Sequence, residues 1–217
     1  MPRLIVKAGD PAREIIELVE GERIDLVVMG THGLGGYRKM FFGSVTERVL
    51  RRASVPVLAV PVTEFPSVQF ADESPVMAIG RVMAPLDLTA APERAAEAAA
   101  LVARSFAVLL LLVHVVAPIH ASSLWQEPLQ AQQRIRLARA REHLERLAAA
   151  LSRDLVVDVR VELGRPADEI AAMAVESRAG LIVISLKGEG GGFAYRVLCL
   201  AQVPVLALPP MADQPSA

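Results

Sequence analysis

Cysteine is almost missing from this 217-residue chain. Cys199 is the single one, so no intrachain disulfide can form. Its apolar setting, YRVLCL, reads as a packing position. Aromatic residues make up only 4%, so the 53% apolar content is carried mainly by Ala, Val and Leu. That composition excludes an aromatic-rich core and suits buried strands covered by helices. Neither sign of charge is in excess: the net charge is −1, which points away from nucleic acid and anionic membranes as partners. No apolar run reaches bilayer length. The most apolar, FAVLLLLVHVV from Phe106 to Val116, has eleven residues and contains a histidine. No basic segment followed by an apolar stretch opens the sequence, and a soluble cytoplasmic protein is expected. Catalytic constellations are missing as well. No Ser/His/Asp set, paired carboxylates or Cys/His metal spacing stands out, so no enzymatic mechanism is expected.

What is present is a repeat. GDPAREIIELVEGERIDLVVMG, Gly9 to Gly30, matches GRPADEIAAMAVESRAGLIVIS, Gly164 to Ser185, at a shift of 155 positions. Gly9/Gly164, Pro11/Pro166, Ala12/Ala167, Glu14/Glu169 and Ile15/Ile170 are identical. ASVPVLAVP, from Ala53, then matches AQVPVLALP, from Ala201, at a shift of 148. The second copy has therefore lost seven residues, and the loss falls in a glycine-rich stretch.

Each copy reads as a β-rich run (LIVKAG; VDVRVELG), a helix, a buried strand (DLVVMG; GLIVIS), a loop, a helix and a last strand (PVLAV; PVLAL). Proline stands near the first helical turn, where its missing N–H is harmless. Asp10 is a candidate cap, and Ile15, Ile16 and Val19 form an apolar stripe. Before the second copy come a strand at Ala78–Ala84, a helix with Thr89 as candidate cap and Pro92 in its first turn, the strand VLLLLVHVV, and a long helix marked by Ile135, Leu137, Leu144, Leu147 and Leu151. Strands alternating with helices predict an α/β fold, a doubly wound parallel sheet. The expected division is 1–62 as the C-terminal part of a first domain, 63–75 as a linker, 76–210 as a complete second domain and 211–217 as a tail. The first unit then lacks two strands, including the one usually central in such a sheet. It should leave edge groups and apolar faces open and be marginal alone. Either the chain is cut from a longer one, which this reading favours, or another sheet covers the gap.

The loop of the first copy is MGTHGLGGYRKMFFGS, Met29 to Ser44. It is neither G-x-x-x-x-G-K-[ST] nor G-x-G-x-x-G, because Arg38 stands where the third glycine should be. Its spacing is Gly30-x2-Gly33-x9-Gly43-Ser44, and Gly43 and Ser44 open a helix whose free N–H groups and dipole favour an anion. Arg38 and Lys39 add positive charge nearby. With the following V-x-E-x-V-L-x-x-A-x-x-P-V-L-x-V, this pattern resembles the universal stress protein family over nearly the whole chain.

The resemblance implies a Rossmann-like fold, often in tandem or as dimers, and ATP binding through this loop in some members. It implies nucleotide contacts at Met29, Gly30, His32, Gly33, Gly43, Ser44, Val45 and Thr46. It also places an adenine side for the second repeat at Asp87 and Val115. ATP, with Mg if present, is the implied cofactor. Pairing through PVLAV and PVLAL, within one chain or between copies, is the implied assembly, though both strands could equally be internal. The second copy departs from the pattern. Ser185 replaces the first glycine, the nine-residue spacer shrinks to two, Glu189 adds negative charge, and the closing Gly-Ser becomes Gly-Gly. A stress-response regulator that binds nucleotide is the leading expectation, and a docking module of the same fold without nucleotide is the rival. An adenylating or ATP-pyrophosphatase enzyme is disfavoured, because APLDLT stands where an S-G-G-x-D-S loop would be. Plainer roles are also weighed: Asp87 as a cap or turn residue, His32 as a backbone contact, His114 as a packed histidine.

Overall fold

The computed structural model describes residues 2–31, 43–61, 68–71, 74–77, 79–88, 92–119, 126–186 and 192–210. Helix α1 (Pro11–Gly21) begins where the sequence asks it to. The Asp10 carboxylate accepts the Arg13 N–H at 3.0 Å, and proline occupies the first turn. Strand β1 (Val27–Gly30), helix α2 (Ser44–Arg52) and strand β2 (Val57–Val60) complete the first repeat. There follow β3 (Val68–Ala71), β4 (Ser74–Met77), β5 (Arg81–Pro85), α3 (Pro92–Ser105), β6 (Leu109–Val116), α4 (Gln126–Leu151), β7 (Val157–Leu163), α5 (Pro166–Glu176), β8 (Leu181–Ser185), α6 (Gly192–Leu200) and β9 (Val205–Leu208).

Seven strands form one sheet in the order β1-β2-β9-β8-β5-β6-β7. From β7 to β9 every pairing is parallel, joined by crossovers through helices. β1 and β2 are also parallel to one another. Between the two groups lies one antiparallel seam, β2 against β9, with Val57 opposite Ala207, Leu58 opposite Leu206 and Ala59 opposite Val205. PVLAV and PVLAL, open to two readings in the sequence, thus pair with each other inside one chain. Ala59 and Ala207 are fully buried there.

The core lies on both faces of the sheet. One cluster runs across the seam beneath α1, α2, α5 and α6 and includes Ala12, Leu50, Val57, Ile170, Met173 and Val197. The other lies under α3 and α4 and includes Ala96, Ala99, Leu110, Leu144, Leu181 and Val183. Alternation along β6 sends Leu111 and Val113 to the first face and Leu110 and Leu112 to the second. In α4, Leu144 is buried whereas Ile135 faces solvent, so the predicted stripe holds only in the helix's second half.

Three expectations are corrected or refined. LIVKAG is not a strand, although its counterpart β7 is. β7 has β6 to bond to, from Leu110 opposite Val157 to Val116 opposite Leu163. Residues 2–8 have no such neighbour among the described strands, and a lone strand cannot satisfy its backbone groups. Second, the stretch read as a linker, 63–75, carries β3 and the start of β4, an antiparallel pair separate from the main sheet. The alternation Val68-Gln69-Phe70 was the signal for it. Third, the identity of Gly9 with Gly164 and of Glu14 with Glu169 has a steric cause. The Glu14 side chain folds back over Gly9, where a Cβ would meet its Oε1 at 2.6 Å, and Glu169 covers Gly164 in the same way. Thr89 lies outside the described residues.

Candidate functional site

The first repeat fastens the end of β1 to the start of α2 with two hydrogen bonds. The Thr46 hydroxyl donates to the Gly30 carbonyl at 3.0 Å. The Gly43 N–H donates to the Thr31 carbonyl at 2.9 Å. Thr31 and Thr46 are the buried polar residues of the described chain, at 2% and 4% exposure. A Cβ on Gly43 would sit 3.2 Å from the Thr31 carbonyl oxygen, so glycine allows this close approach. Gly43 also supplies no side-chain cap, and the first helical bond runs from the Glu47 N–H to the Gly43 carbonyl. The N–H groups of Ser44, Val45 and Thr46 therefore head α2 as first-turn donors. With the helix dipole behind them they favour an anion.

Ser44 is exposed, whereas Met29 and Val45 are half-buried and pack on the core. Thr46 can meet a ligand through its backbone only, because its hydroxyl is committed to Gly30. His32 and Gly33 lie outside the described residues, as do Arg38 and Lys39. Arg48 of α2 reaches Asp10 at 2.8 Å and locks the start of α1 to α2. The Arg13 N–H and then Arg48 hold the Asp10 carboxyl below its ordinary value. Thr31 and the pairing of Asp10 with Arg48 are what sequence reasoning missed. Neither carries a motif: the turn from β1 into α2 reveals the first and the packing of α1 on α2 the second.

Asp87 and Val115 of the second repeat stand at the ends of neighbouring strands. The Leu86 N–H donates to the Val113 carbonyl at 2.8 Å, and His114 Nδ1 lies 2.8 Å from the Leu86 carbonyl oxygen. Asp87 thus follows the carboxyl end of β5 beside the end of β6, at the point where the strand order turns on both sides of β5. Val115 itself is buried in the core. The fastening seen in the first repeat is undone here. Ala194 stands for Thr46 and Ser185 for Gly30, and the Ser185 hydroxyl is buried without a partner. The shortened loop, 187–191, lies outside the described residues.

The two half-sites are not joined. Four strand spacings, roughly 19 Å, separate β1 from β5. The antiparallel seam also turns their carboxyl ends in opposite directions. A cavity of about 400 Å³ lies elsewhere, among Arg81, Asp158, Arg160, Glu176 and Ser177 near the amino ends of β5 and β7. No group of metal-binding side chains occurs among the described residues. No described helix is long and apolar enough to cross a membrane.

A mostly parallel sheet covered by helices on both faces, with a glycine-headed helix at a strand's carboxyl end, defines a Rossmann-like α/β protein. The family model described as "Universal stress protein family" matches residues 1–61 and 78–209, and the chain belongs to that family. A universal stress protein of Methanocaldococcus jannaschii is 39% identical over 56 residues, which is 26% of this chain and 35% of that one. The chain spans about a third of the length of such curated relatives. A solved universal stress protein from Archaeoglobus fulgidus superposes with a TM-score of 0.66 at 24% identity, over 95% of this chain and 67% of that one. Another A. fulgidus structure, described as a complex with dAMP, is 22% identical with a TM-score of 0.45, over 59% of this chain and 96% of that one.

Proposed function

We propose that the first repeat holds the phosphates of an adenine nucleotide, ATP by preference, and that this binding serves a regulatory role in the stress response. One observation supports it above others: the uncapped first turn of α2 sits directly behind Gly30 and Gly43, in the spacing Gly30-x2-Gly33-x9-Gly43-Ser44. The residues fit the phosphate end of a nucleotide. Backbone N–H groups at Ser44, Val45 and Thr46 and the Ser44 hydroxyl donate to phosphate oxygens. Mg, if it accompanied the nucleotide, would be held through the phosphates, with the Ser44 hydroxyl as the protein group nearest to it in sequence. Nothing beside Gly30 on the open edge of β1 walls a base among the described residues. The reading therefore includes two family-type units, 1–62 and 76–210 with 63–75 between them. No described strand lies beside β1 on the side where a base would sit, and the chain binds without turnover in the cytoplasm.

Titration calorimetry with ATP tests this. Measurable binding that falls at least about tenfold in Ser44→Ala and in Gly33→Val is expected, the size of one lost bond to a charged group. Equal, weak heats for all three proteins would sink it. The rival reading, a docking module without nucleotide, draws on the continuous seam and the dismantled second loop. It expects ATP to leave the protein's thermal midpoint unchanged.

A further inference from the structure

Strand β7 has one apolar face and one charged face. Val157, Val159 and Val161 pack against the cluster under α3 and α4. Asp158, Arg160 and Glu162 alternate with them and point the other way. Asp158 stands opposite Leu111 of β6 and Arg160 opposite Val113, so the charged row continues the face of the first core cluster. Arg81, two residues before Met83 in β5, lies on that face as well. The cavity of about 400 Å³ opens here, with Leu111 as its floor, Arg81 on one side and Asp158 and Arg160 on the other. Glu176 and Ser177, at the carboxyl end of α5, complete the wall. Two positive and two negative side chains line it, so its formal charge is zero. Arg160 is held within the wall, by Glu162 at 2.9 Å and Glu176 at 3.0 Å. Arg81 and Asp158 make no ion pair among the described residues, and the Ser177 hydroxyl is buried without a partner. The repeat shows that this gap belongs to the second copy. At the shift of 155, Asp158 and Ser177 correspond to Arg3 and Glu22, which pair at 2.9 Å. Arg160 and Glu176 correspond to Ile5 and Gly21. The frame residues Gly164, Pro166 and Glu169 recur in both copies, whereas these pocket residues do not.

We infer that this cavity binds a free α-amino acid with an apolar side chain. The two unpaired charges set the ligand's chemistry. Arg81 and Asp158 are two strands and two rows apart, roughly 12 Å between Cα atoms by sheet spacing. A simple anion satisfies Arg81 and is repelled by Asp158, and a simple cation meets the reverse. A molecule that carries both charges a few bonds apart satisfies both. The Arg81 guanidinium takes the carboxylate through charge-assisted hydrogen bonds. Asp158 takes the ammonium, and Glu176 and the carboxyl end of α5 add negative potential on that side. The Ser177 hydroxyl beside them gains the partner it lacks. Leu111 beneath meets the ligand's apolar side chain. The cavity lies at least four strand spacings, roughly 19 Å, from β1, and nucleotide binding plays no part in the inference.

Titration of the isotope-labelled full chain with L-leucine, followed by amide NMR without nucleotide, is the test. Expected are saturable shifts at the amides of Arg81, Leu111, Asp158 and Ser177, with those of Ser44, Val45 and Thr46 unmoved. Isopentylamine lacks the carboxylate and N-acetyl-L-leucine lacks the ammonium. Each should bind at least about tenfold more weakly than L-leucine, the size of one lost hydrogen bond to a charged group. L-leucine should weaken by the same factor on Arg81→Gln and on Asp158→Asn, while Arg141→Gln, exposed on α4, binds as the native chain does. Unchanged amide shifts in β6 and α5 before titration show that each variant is folded; where a variant fails this check, the leucine analogues decide alone. Absence of saturable shifts at the pocket amides, an analogue that binds as tightly as L-leucine, or full binding by a folded Arg81→Gln or Asp158→Asn overturns the inference.

Discussion

Thr46 shows how a residue expected to meet a ligand can instead serve the frame of the fold. Its hydroxyl, 4% exposed, joins α2 to the carbonyl of Gly30. Thr46→Ala should cost about 1 kcal/mol in urea unfolding and Thr46→Ser much less, since only the former leaves the Gly30 carbonyl without its donor. Ser185 is the converse case. Its hydroxyl is buried and unpaired, so Ser185→Ala should raise the thermal midpoint, with a gain of about 1 kcal/mol. Asp10 gives a pH signature. The Arg13 N–H and Arg48 lower its pKa in the folded chain from an ordinary 3.8. Its contribution is therefore complete above pH 3.8 and fades as pH falls through the depressed value. Urea midpoints of the native chain and Asp10→Asn should differ by a constant amount above pH 4 and converge below it. A difference unchanged down to pH 2.5 would contradict this.

At the scale of elements, the antiparallel seam decides how the repeats relate. Val57, Ala59, Val205 and Ala207 are buried along it, and the cluster beneath continues from α2 to α6. Arg51 of α2 lies 4.5 Å over the ring of Tyr195 in α6 and adds a cation–π tie across the seam. Burial raises the Tyr195 phenol pKa, and Arg51 opposes that rise. Ala59→Glu buries a charge with no partner at the seam. It should release α1, β1, α2 and β2 to fast hydrogen exchange while β5, β6 and β8 stay protected, because those strands pair among themselves. Uniform loss of protection through the sheet would show instead that the two groups of strands unfold as one unit.

For the whole molecule, the sequence pattern carries far, and its limits have a physical origin. Alternating apolar runs and capped helices located every strand of the seven-stranded sheet, since each is short, apolar and bounded by turns. LIVKAG has the same local signal and is no strand, because a strand needs a neighbour and local sequence does not record one. Of the candidate site, the spacing from Gly30 to Ser44 and the position of Asp87 were legible. The fastening through Thr31 and Thr46 was not, since its partners are brought together only by the turn from β1 into α2. Among the described residues, trypsin should cut first after Arg3 and Lys7, in exposed chain outside any element, leaving far-UV ellipticity nearly unchanged. Early cleavage after Arg81 or Arg160, which lie in central and outer strands of the main sheet, would contradict this stability order.

By itself the sequence determined the alternation of strand and helix, the duplication and the anion-favouring loop. Each is written in local periodicity or in glycine spacing. Tertiary structure alone decided that PVLAV and PVLAL pair antiparallel. That pairing turns the carboxyl end of β1 away from that of β5, so the start of α2 in one repeat and Asp87 in the other lie at opposite ends of the sheet. Strand direction across a seam is a property of two distant segments in contact, and it has no signature in either segment alone.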